Sequence, residues 1–152
     1  MLGNLNQKEI DLLLNRQVVG RLGCHAGGLT YVVPINYAYK NGVIYAHSAP
    51  GKKIQMMREN PEVCFEVDEI DTIFRWKCVV GWGKFEEIKD VSEQEQTMQL
   101  LIHRIMPLVD TPAGHPSHGI TANEFDAGVN IELIVYKIVL SNCTGRFENS
   151  SL

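Results

Sequence analysis

The sequence of 152 residues lacks the features that mark membrane-spanning, secreted and zinc-binding proteins. It has no run of about 18 apolar residues, which a membrane-spanning helix needs. Its start has no basic segment followed by an apolar one, as a signal peptide has. Its four cysteines include no C-x-x-C pair and no Cys–His spacing typical of a zinc site. We therefore expect a cytoplasmic protein with no membrane partner.

Positive charge is also scarce, because 14 lysines and arginines stand against 18 aspartates and glutamates, for a net charge of −4. That balance argues against a general attraction to nucleic acid, so an anion would have to be bound by a local cluster of cations. The sequence has no Walker loop, no nucleophile elbow and no Ser-His-Asp order. Gly81-Trp82-Gly83 lacks the context of a dinucleotide-binding fingerprint.

Three histidines lie in the second half of the chain, at His103, His115 and His118. The segment from His115 to His118 could present two imidazoles to a metal ion, but a proline lies between them and no carboxylate pair is near. We therefore expect no metal site. Residues 108–126, rich in Pro, Gly, His and Thr, are interpreted as an ordered loop or lid over a cofactor or a partner subunit.

Hydrophobic periodicity predicts about six strands, at residues 18–25, 29–39, 43–47, 62–68, 76–88 and 129–140. One helix follows a capping box formed by Asn6 and Glu9, and another spans residues 51–60. A third helix follows a second capping box at Ser92 and Glu95. These elements predict a mainly β protein with short helices, arranged as a small antiparallel barrel.

Glycines mark two further features of this fold. Asn41-Gly42 predicts a hairpin turn. Gly81 and Gly83 interrupt a predicted strand and indicate a bulge, a barrel bend or a close approach to a ligand. With 45% apolar and 21% charged residues, the composition is that of an ordinary globular protein, and we expect residues 1–152 to form one domain.

The most informative segment is His47-Ser48-Ala49-Pro50-Gly51-Lys52-Lys53, where a strand reaches a sharp turn and a helix begins with two lysines. The first turn of a helix carries unpaired N–H groups and a partial positive charge. A hydroxyl and two ammonium groups added there form a candidate phosphate site. Lysine has the wrong charge for that end of a helix dipole, and a bound anion would relieve the mismatch. The alternative, a solvated helix start without a ligand, stays open.

Three aromatic residues have both a structural and a functional interpretation. His47 ends an apolar strand, so it is either a hydrogen-bonded structural group or a ring beside a cofactor that donates a hydrogen bond or moves a proton. Trp76 and Trp82 lie on or near the strand that contains the two glycines. We favour a packing role for at least one of them, and the alternative is a wall against a flat ring.

Six short segments are informative through their order and spacing: Gly20-Arg21-Leu22-Gly23, Tyr31-Val32-Val33-Pro34-Ile35-Asn36-Tyr37, Ile44-Tyr45-Ala46-His47-Ser48, Gly51-Lys52-Lys53, Asn60-Pro61-Glu62-Val63-Cys64-Phe65-Glu66-Val67 and Thr144-Gly145-Arg146. Together they resemble the pyridoxamine 5′-phosphate oxidase-like flavin-binding split barrels, and within these the nitroimidazole-resistance (Nim) proteins. The resemblance runs from about Ile10 to Arg146, which is nearly the whole chain.

The resemblance implies an antiparallel split β-barrel that forms a homodimer, with two flavin sites at the subunit interface. It implies FMN as the cofactor, with FAD as the alternative. Three groups of residues would hold the flavin: the ring-lining Val33, Pro34, Ile35 and Asn36, largely through backbone groups; the flanking His47 and Ser48, with Cys78 facing the cofactor; and the phosphate-binding Lys52 and Lys53.

The resemblance also implies an oxidoreductase that reduces a small electron-poor substrate such as a nitroimidazole, with His47 as the catalytic residue nearest to the reacting centre. Oxidation of pyridoxamine phosphate is not expected, because the true oxidases end in a motif with tryptophan and arginine. This chain has Ser141-Asn142-Cys143-Thr144-Gly145-Arg146-Phe147 there, and no tryptophan follows Trp82. Two alternatives stay open: a haem-binding split barrel with His47 or His118 on the iron, and a flavin-binding protein without catalysis.

Overall fold

The computed structural model describes residues 1–108 and 132–150, which contain eight strands and three α-helices. The strands are β1 (Leu2–Asn4), β2 (Val19–Ala26), β3 (Leu29–Asn36), β4 (Ala38–Lys40), β5 (Val43–Ser48), β6 (Glu62–Thr72), β7 (Arg75–Glu87) and β8 (Ile134–Asn149). The helices are α1 (Gln7–Arg16), α2 (Lys52–Glu59) and α3 (Val91–Ile105), and a short 3₁₀ turn (Met106–Leu108) follows α3. His115, His118, nearly all of the predicted loop 108–126 and the start of the strand predicted at 129–140 lie outside the described residues.

The described strands form one antiparallel sheet in the order β3-β2-β6-β7-β8-β5-β4, with β1 paired to β8. The sheet curves around the main core, and β3 and β4 lie at its two edges. No strand pairing among the described residues closes the gap between these edges. The fold is therefore the predicted antiparallel split β-barrel. None of the described helices has the length and apolar character needed to cross a membrane.

Side chains alternate between the two faces of this sheet, as the pleat of a strand requires. Leu22 and Cys24 of β2 and Phe65 of β6 are buried in the barrel, whereas Arg21 of β2 and Cys64 of β6 lie on the outer face and are half-buried. Helices α1 and α2 pack on the inner face through the buried residues Ile10, Leu13, Leu14, Ile54, Met56 and Met57.

Tyr37 is the single residue between β3 and β4, and it is anchored in the core. Its ring is fully buried and meets the ring of Phe65 edge-on, with 4.9 Å between the centroids. Its hydroxyl donates to the carbonyl of Leu14 in α1 at 2.7 Å, and its amide donates to the carbonyl of Val18. Burial raises the pKa of the Tyr37 hydroxyl well above its ordinary value. The strand predicted over residues 29–39 therefore breaks at Tyr37, because the chain leaves one edge of the sheet there and enters the other.

Helix α3 lies against the sheet away from the main core, where Leu101 and Ala38 are buried together. Arg104 donates to the carbonyls of Asn15 and Arg16, so α3 satisfies carbonyls at the end of α1. The predicted start of α3 is wrong: the helix begins at Val91, and the carboxylate of Asp90 accepts the amide of Glu93 at 2.9 Å. The sequence contains two overlapping capping patterns, and the earlier one forms the cap.

Two strands differ most from the sequence prediction. The strand predicted at 129–140 continues as β8 to Asn149, so the segment Thr144-Gly145-Arg146 lies in the sheet between β1 and β7. The three-residue strand β1 was not predicted, and it exists because it pairs with β8, for example at Leu2 and Glu148. Both depend on partners at least 60 residues away in the sequence, which local periodicity does not contain.

Glycines matter at two places, through backbone conformation at Gly42 and through close packing at Gly83. Asn41 and Gly42 both have positive φ angles, of 50° and 78°, which confirms the predicted hairpin turn. The register of β7 on β8 shifts between Trp82 and Gly83, and a Cβ on Gly83 would collide with the carbonyl oxygen of Val139. The glycine interruption in β7 is thus a β-bulge with a close approach of two strand backbones.

Candidate functional site

The start of α2 differs from the starts of the other two helices. Its N-cap is Gly51, and no side chain there accepts a hydrogen bond from the first turn. In α1 and α3 the side chains of Asn6 and Asp90 make that bond. The hydroxyl of Ser48, the nearest candidate cap, donates instead to the carbonyl of Ala49 at 2.7 Å. The N–H groups at the start of α2 therefore remain available to an anion.

Two lysines occupy the first turn of α2, and no acidic residue offsets them there. Lys52 is exposed, and its Nζ lies 5.0 Å from the centre of the Tyr31 ring on β3. Lys53 is half-buried, and this burial lowers the pKa of its ammonium, while the neighbouring Cys24 opposes the shift. The helix start thus concentrates two cations and a partial positive charge, an arrangement that a bound anion would stabilise.

The rest of α2 is held firmly against the barrel. Arg58 donates twice to the carboxylate of Glu87 on β7, at 3.1 and 2.8 Å. Asn60, which follows the helix, donates to the carbonyl of His25 on β2 at 2.8 Å. Inside the barrel, the sulfur atoms of Cys24 and Met56 lie 4.0 Å apart. These contacts fix the position of the lysines relative to β2 and its neighbour β3.

Strand β3 carries the predicted ring-lining residues, and its alternation divides them. Pro34 and Asn36 are exposed on the outer face, while Val33 is half-buried against the core and Ile35 is part of the core. The side chain of Ile35 is therefore unavailable to a ligand. Because β3 is an edge strand, the backbone groups along its second side pair with no other described strand. This geometry suits recognition through backbone groups.

His47 and Ser48 are the last two residues of β5, and as neighbours on a strand their side chains leave opposite faces. His47 is opposite Val135 of β8, and Ser48 is opposite Ile134. Both predicted residues are half-buried. They lie directly before the turn that leads to α2, so the structure brings them near the start of that helix.

Cys78 lies in a different environment, on the outer face of the sheet. Its thiol donates to Glu66 at 3.5 Å, and Arg21 lies 3.7 Å from Glu66 and 3.3 Å from Asp68. Burial, and then the charge of Glu66, raise the pKa of the Cys78 thiol to about 11. Burial also raises the pKa of the Glu66 carboxyl, with a further contribution from Asp68.

The structure does not bring Cys78 together with the lysines of α2. Cys78 pairs with Asp68, which is four residues, or about 13 Å, from Cys64 along β6. Cys64 in turn pairs with Gly23, the neighbour of the Cys24 that lies beside Lys53. Cys78 points outward and Cys24 inward, so Cys78 and Lys53 lie on opposite sides of the sheet.

A cavity of about 610 Å³ lies on this outer face, and sequence reasoning did not identify it. Its apolar lining includes Val32 and Trp82, which are 62% and 43% exposed, and its charged lining includes Arg21, Glu66 and Lys84. None of the nine predicted cofactor residues lines it. The outward positions of β2, β3, β6 and β7 are visible in the sequence as an alternation, but which strands are neighbours is not.

The two tryptophans have different environments. Trp76 is half-buried, and its indole donates to Glu148 at 3.1 Å, which is a structural role. Trp82 is exposed beside the cavity and is not packed in the core. The packing role favoured for at least one tryptophan stays a prediction, because Trp76 has a structural hydrogen bond but is not among the residues packed against the core.

A family model described as pyridoxamine 5′-phosphate oxidase matches residues 6–130. The crystal structure of a FAD-binding protein from Mesorhizobium loti has 31% sequence identity and a TM-score of 0.76, and the match covers 99% of this chain and 98% of that chain. A candidate 5-nitroimidazole antibiotic resistance protein from Bacteroides thetaiotaomicron shares the fold, at 22% identity and a TM-score of 0.72 over 97% of this chain and 87% of that one.

A curated relative matches over a shorter length. An uncharacterised protein of Rhizobium meliloti is 39% identical over 84 residues, which are 55% of this chain and 56% of that protein. The match to this relative therefore spans only about half of its length.

The bond between Arg58 and Glu87 predicts a pH dependence of stability. The hydrogen bonds from Arg58 hold the pKa of Glu87 below its ordinary value near 4.5. A carboxyl whose pKa is lowered on folding stabilises the folded state above its unfolded pKa and loses that effect as the pH falls. We expect Glu87→Gln to be less stable than the parent at pH 7, with a difference that shrinks below about pH 4.5. Urea unfolding across this range measures it.

The matched control is Glu86→Gln, because Glu86 is more exposed and its nearest cation, on Lys137, is 3.8 Å away. This variant should change stability less at pH 7. The stabilising role of the Arg58–Glu87 bond would be contradicted by one result: a difference in unfolding free energy between Glu87→Gln and the parent that is the same at pH 3 and at pH 7.

Proposed function

The chain belongs to the pyridoxamine 5′-phosphate oxidase family, and from this premise we propose that it is a flavoprotein that binds the phosphate of FMN at the start of α2. The observation that carries the proposal is the uncapped first turn of α2, with Lys52 and Lys53 on it. A phosphate monoester would accept hydrogen bonds from the free N–H groups and neutralise both ammonium groups. The 31% identical Mesorhizobium loti protein, described as FAD-binding, supports the flavin class.

The flavin ring would lie along the free edge of β3. Of Val33, Pro34, Ile35 and Asn36, every second residue directs its backbone groups away from β2 and would offer them to the ring, as in any antiparallel edge strand. Pro34 has no N–H to donate. His47 and Ser48 would flank the flavin from the end of β5. The pair of lysines at the start of α2 suits the one phosphate of FMN, and FAD is the alternative cofactor.

The proposed assembly is a homodimer in which both copies contribute to each site. Cys78 and Lys53 of one chain lie on opposite sides of the sheet, so a flavin that contacts both positions must take them from two copies. The exposed apolar groups beside the outer-face cavity, Val32 and Trp82, supply a surface for the second copy to cover. Cys78 would then reach the flavin that is bound mainly by the other subunit.

The proposed activity is the reduction of a small electron-poor substrate such as a nitroimidazole. When bound, FMN would supply the electrons. The chain's own part would be to position the ring along β3, to hold the phosphate at α2 and to place His47 beside the reacting centre. A half-buried imidazole at the end of β5 can donate a hydrogen bond or a proton to a substrate there.

Replacing the two lysines together tests the phosphate site. Lys52→Ala with Lys53→Ala should weaken FMN binding by at least about 100-fold, because two charge-assisted hydrogen bonds are lost. Riboflavin, which has the same ring without the phosphate, should bind with an affinity changed by less than about threefold. Fluorescence titration of the flavin-free protein measures both, and mass and visible spectra identify the ligand that copurifies.

Lys8→Ala with Lys40→Ala is the control, since both of these lysines are exposed and lie outside the site. It removes the same charge and should leave FMN binding unchanged. Retained FMN affinity in the Lys52 and Lys53 variant would refute the site, and a copurifying Soret band in place of flavin bands would favour the haem alternative.

Sedimentation equilibrium tests the homodimer. The protein should sediment at twice the 17.1 kDa chain mass, and Val32→Glu should shift it towards the monomer and reduce flavin retention. Leu12→Glu on α1 is the matched control, because Leu12 is 58% exposed against 62% for Val32. A parent protein that is monomeric at micromolar concentration, or equal effects of the two variants, would refute the proposed interface.

Replacing His47 separates binding from chemistry. His47→Ala should retain FMN but slow the reoxidation of its dithionite-reduced flavin by a 5-nitroimidazole at least tenfold, because the nearest donor is lost. Anaerobic stopped-flow absorbance gives this rate. An unchanged rate rules out the catalytic role of His47, and no reoxidation even in the parent protein would support the alternative of a flavin-binding protein without catalysis.

A further inference from the structure

Tyr31 links the two parts of the candidate site, the edge strand β3 and the start of α2. It lies on β3, opposite Cys24 of β2, and its half-buried ring packs against the core. The ammonium of Lys52, on the first residue of α2, lies 5.0 Å from the centre of that ring. A fixed aromatic ring thus meets an exposed, flexible lysine side chain.

The electrostatics around Lys52 are otherwise unfavourable. Its side chain leaves the positive end of α2, where a second lysine, Lys53, adds to the positive charge of the first turn. Within residues 1–108 and 132–150, no carboxylate forms an ion pair with Lys52. The negative face of the Tyr31 ring attracts the cation and opposes both repulsions. Among the described residues, the Tyr31 ring is the only group recorded in contact with the ammonium of the exposed Lys52, so nothing else holds that side chain in one place.

We propose that Tyr31 is a positioning residue, whose ring holds the Lys52 ammonium next to the open N–H groups of α2, ready for a phosphate monoester. The inference rests on the proposed function, because it deepens the phosphate site described there. A pre-positioned cation loses less side-chain freedom when the anion arrives, so the ligand binds more tightly. Lys53 is half-buried, so its position is already restricted without an aromatic ring beside it.

The experiment compares Tyr31→Leu with Tyr31→Phe and measures the affinity for FMN and for riboflavin in each. Tyr31→Leu removes the aromatic face and should lower the ratio of FMN to riboflavin affinity by about three- to tenfold. Tyr31→Phe keeps the face and should keep the ratio within about twofold of the parent. A role in packing alone would weaken both ligands alike and leave the ratio unchanged.

A double-mutant cycle with Lys52→Met tests whether the ring acts through Lys52. In the Lys52→Met background, Tyr31→Leu should cause no further loss in the ratio, because the cation that it positions is gone. A further loss of the same size in that background would overturn the inference. So would an equal loss in Tyr31→Phe and Tyr31→Leu, which would assign the effect to the tyrosine hydroxyl.

The outcome also separates this inference from the proposed function. If Lys52→Met and Lys53→Met each leave the ratio unchanged, the phosphate site itself is refuted, and the role of Tyr31 is refuted with it. If Lys52→Met lowers the ratio while Tyr31→Leu does not, the phosphate site stands and only the positioning role is overturned.

Discussion

The alternation of side chains across one curved antiparallel sheet is the constraint on which the other features depend. Each strand of the barrel sends one set of residues into the core and the other set outward, and a register slip of one residue would exchange the two sets. Phe65 and Arg21 illustrate the result, since one contacts Tyr37 in the core and the other is paired with carboxylates outside. The same rule divides the predicted cofactor residues, with Ile35 in the core and Pro34 on the outer face.

Helix α2 supplies the candidate binding site, because its uncapped first turn carries Lys52 and Lys53. Its apolar side is buried in the barrel, so its first turn is held in one place beside β2 and β3. The first turn concentrates positive charge without a carboxylate to neutralise it, which is unfavourable in isolation and favourable once an anion is bound. The charge of Lys52 is balanced in part by the Tyr31 ring, and Lys53 is partly desolvated. The buried side of α2 therefore contributes to stability, and its first turn is the candidate site of ligand recognition.

The elements that sequence reasoning identified correctly are those with local signals. The capping box of Asn6 and Glu9 is present as predicted, and so is the hairpin at Asn41-Gly42. Local signals fail where two of them overlap, as at Asp90 and Ser92, where the earlier residue caps α3. They also fail where a distant partner decides the outcome. Strand β1 exists because it pairs with β8, and the extension of β8 to Asn149 pairs with β7 on one side and β1 on the other.

The sequence by itself determined the barrel class, the order of most elements and the concentration of cations at the start of α2, because periodicity, turn residues and charge are local properties of a chain. Only the tertiary structure decided which face each residue occupies relative to distant strands. It separated Cys78 from Lys53, placed Trp82 beside an outer-face cavity and brought the Tyr31 ring to Lys52. These juxtapositions join residues on different strands and helices, and their distances follow from strand order and helix packing, which no local pattern contains.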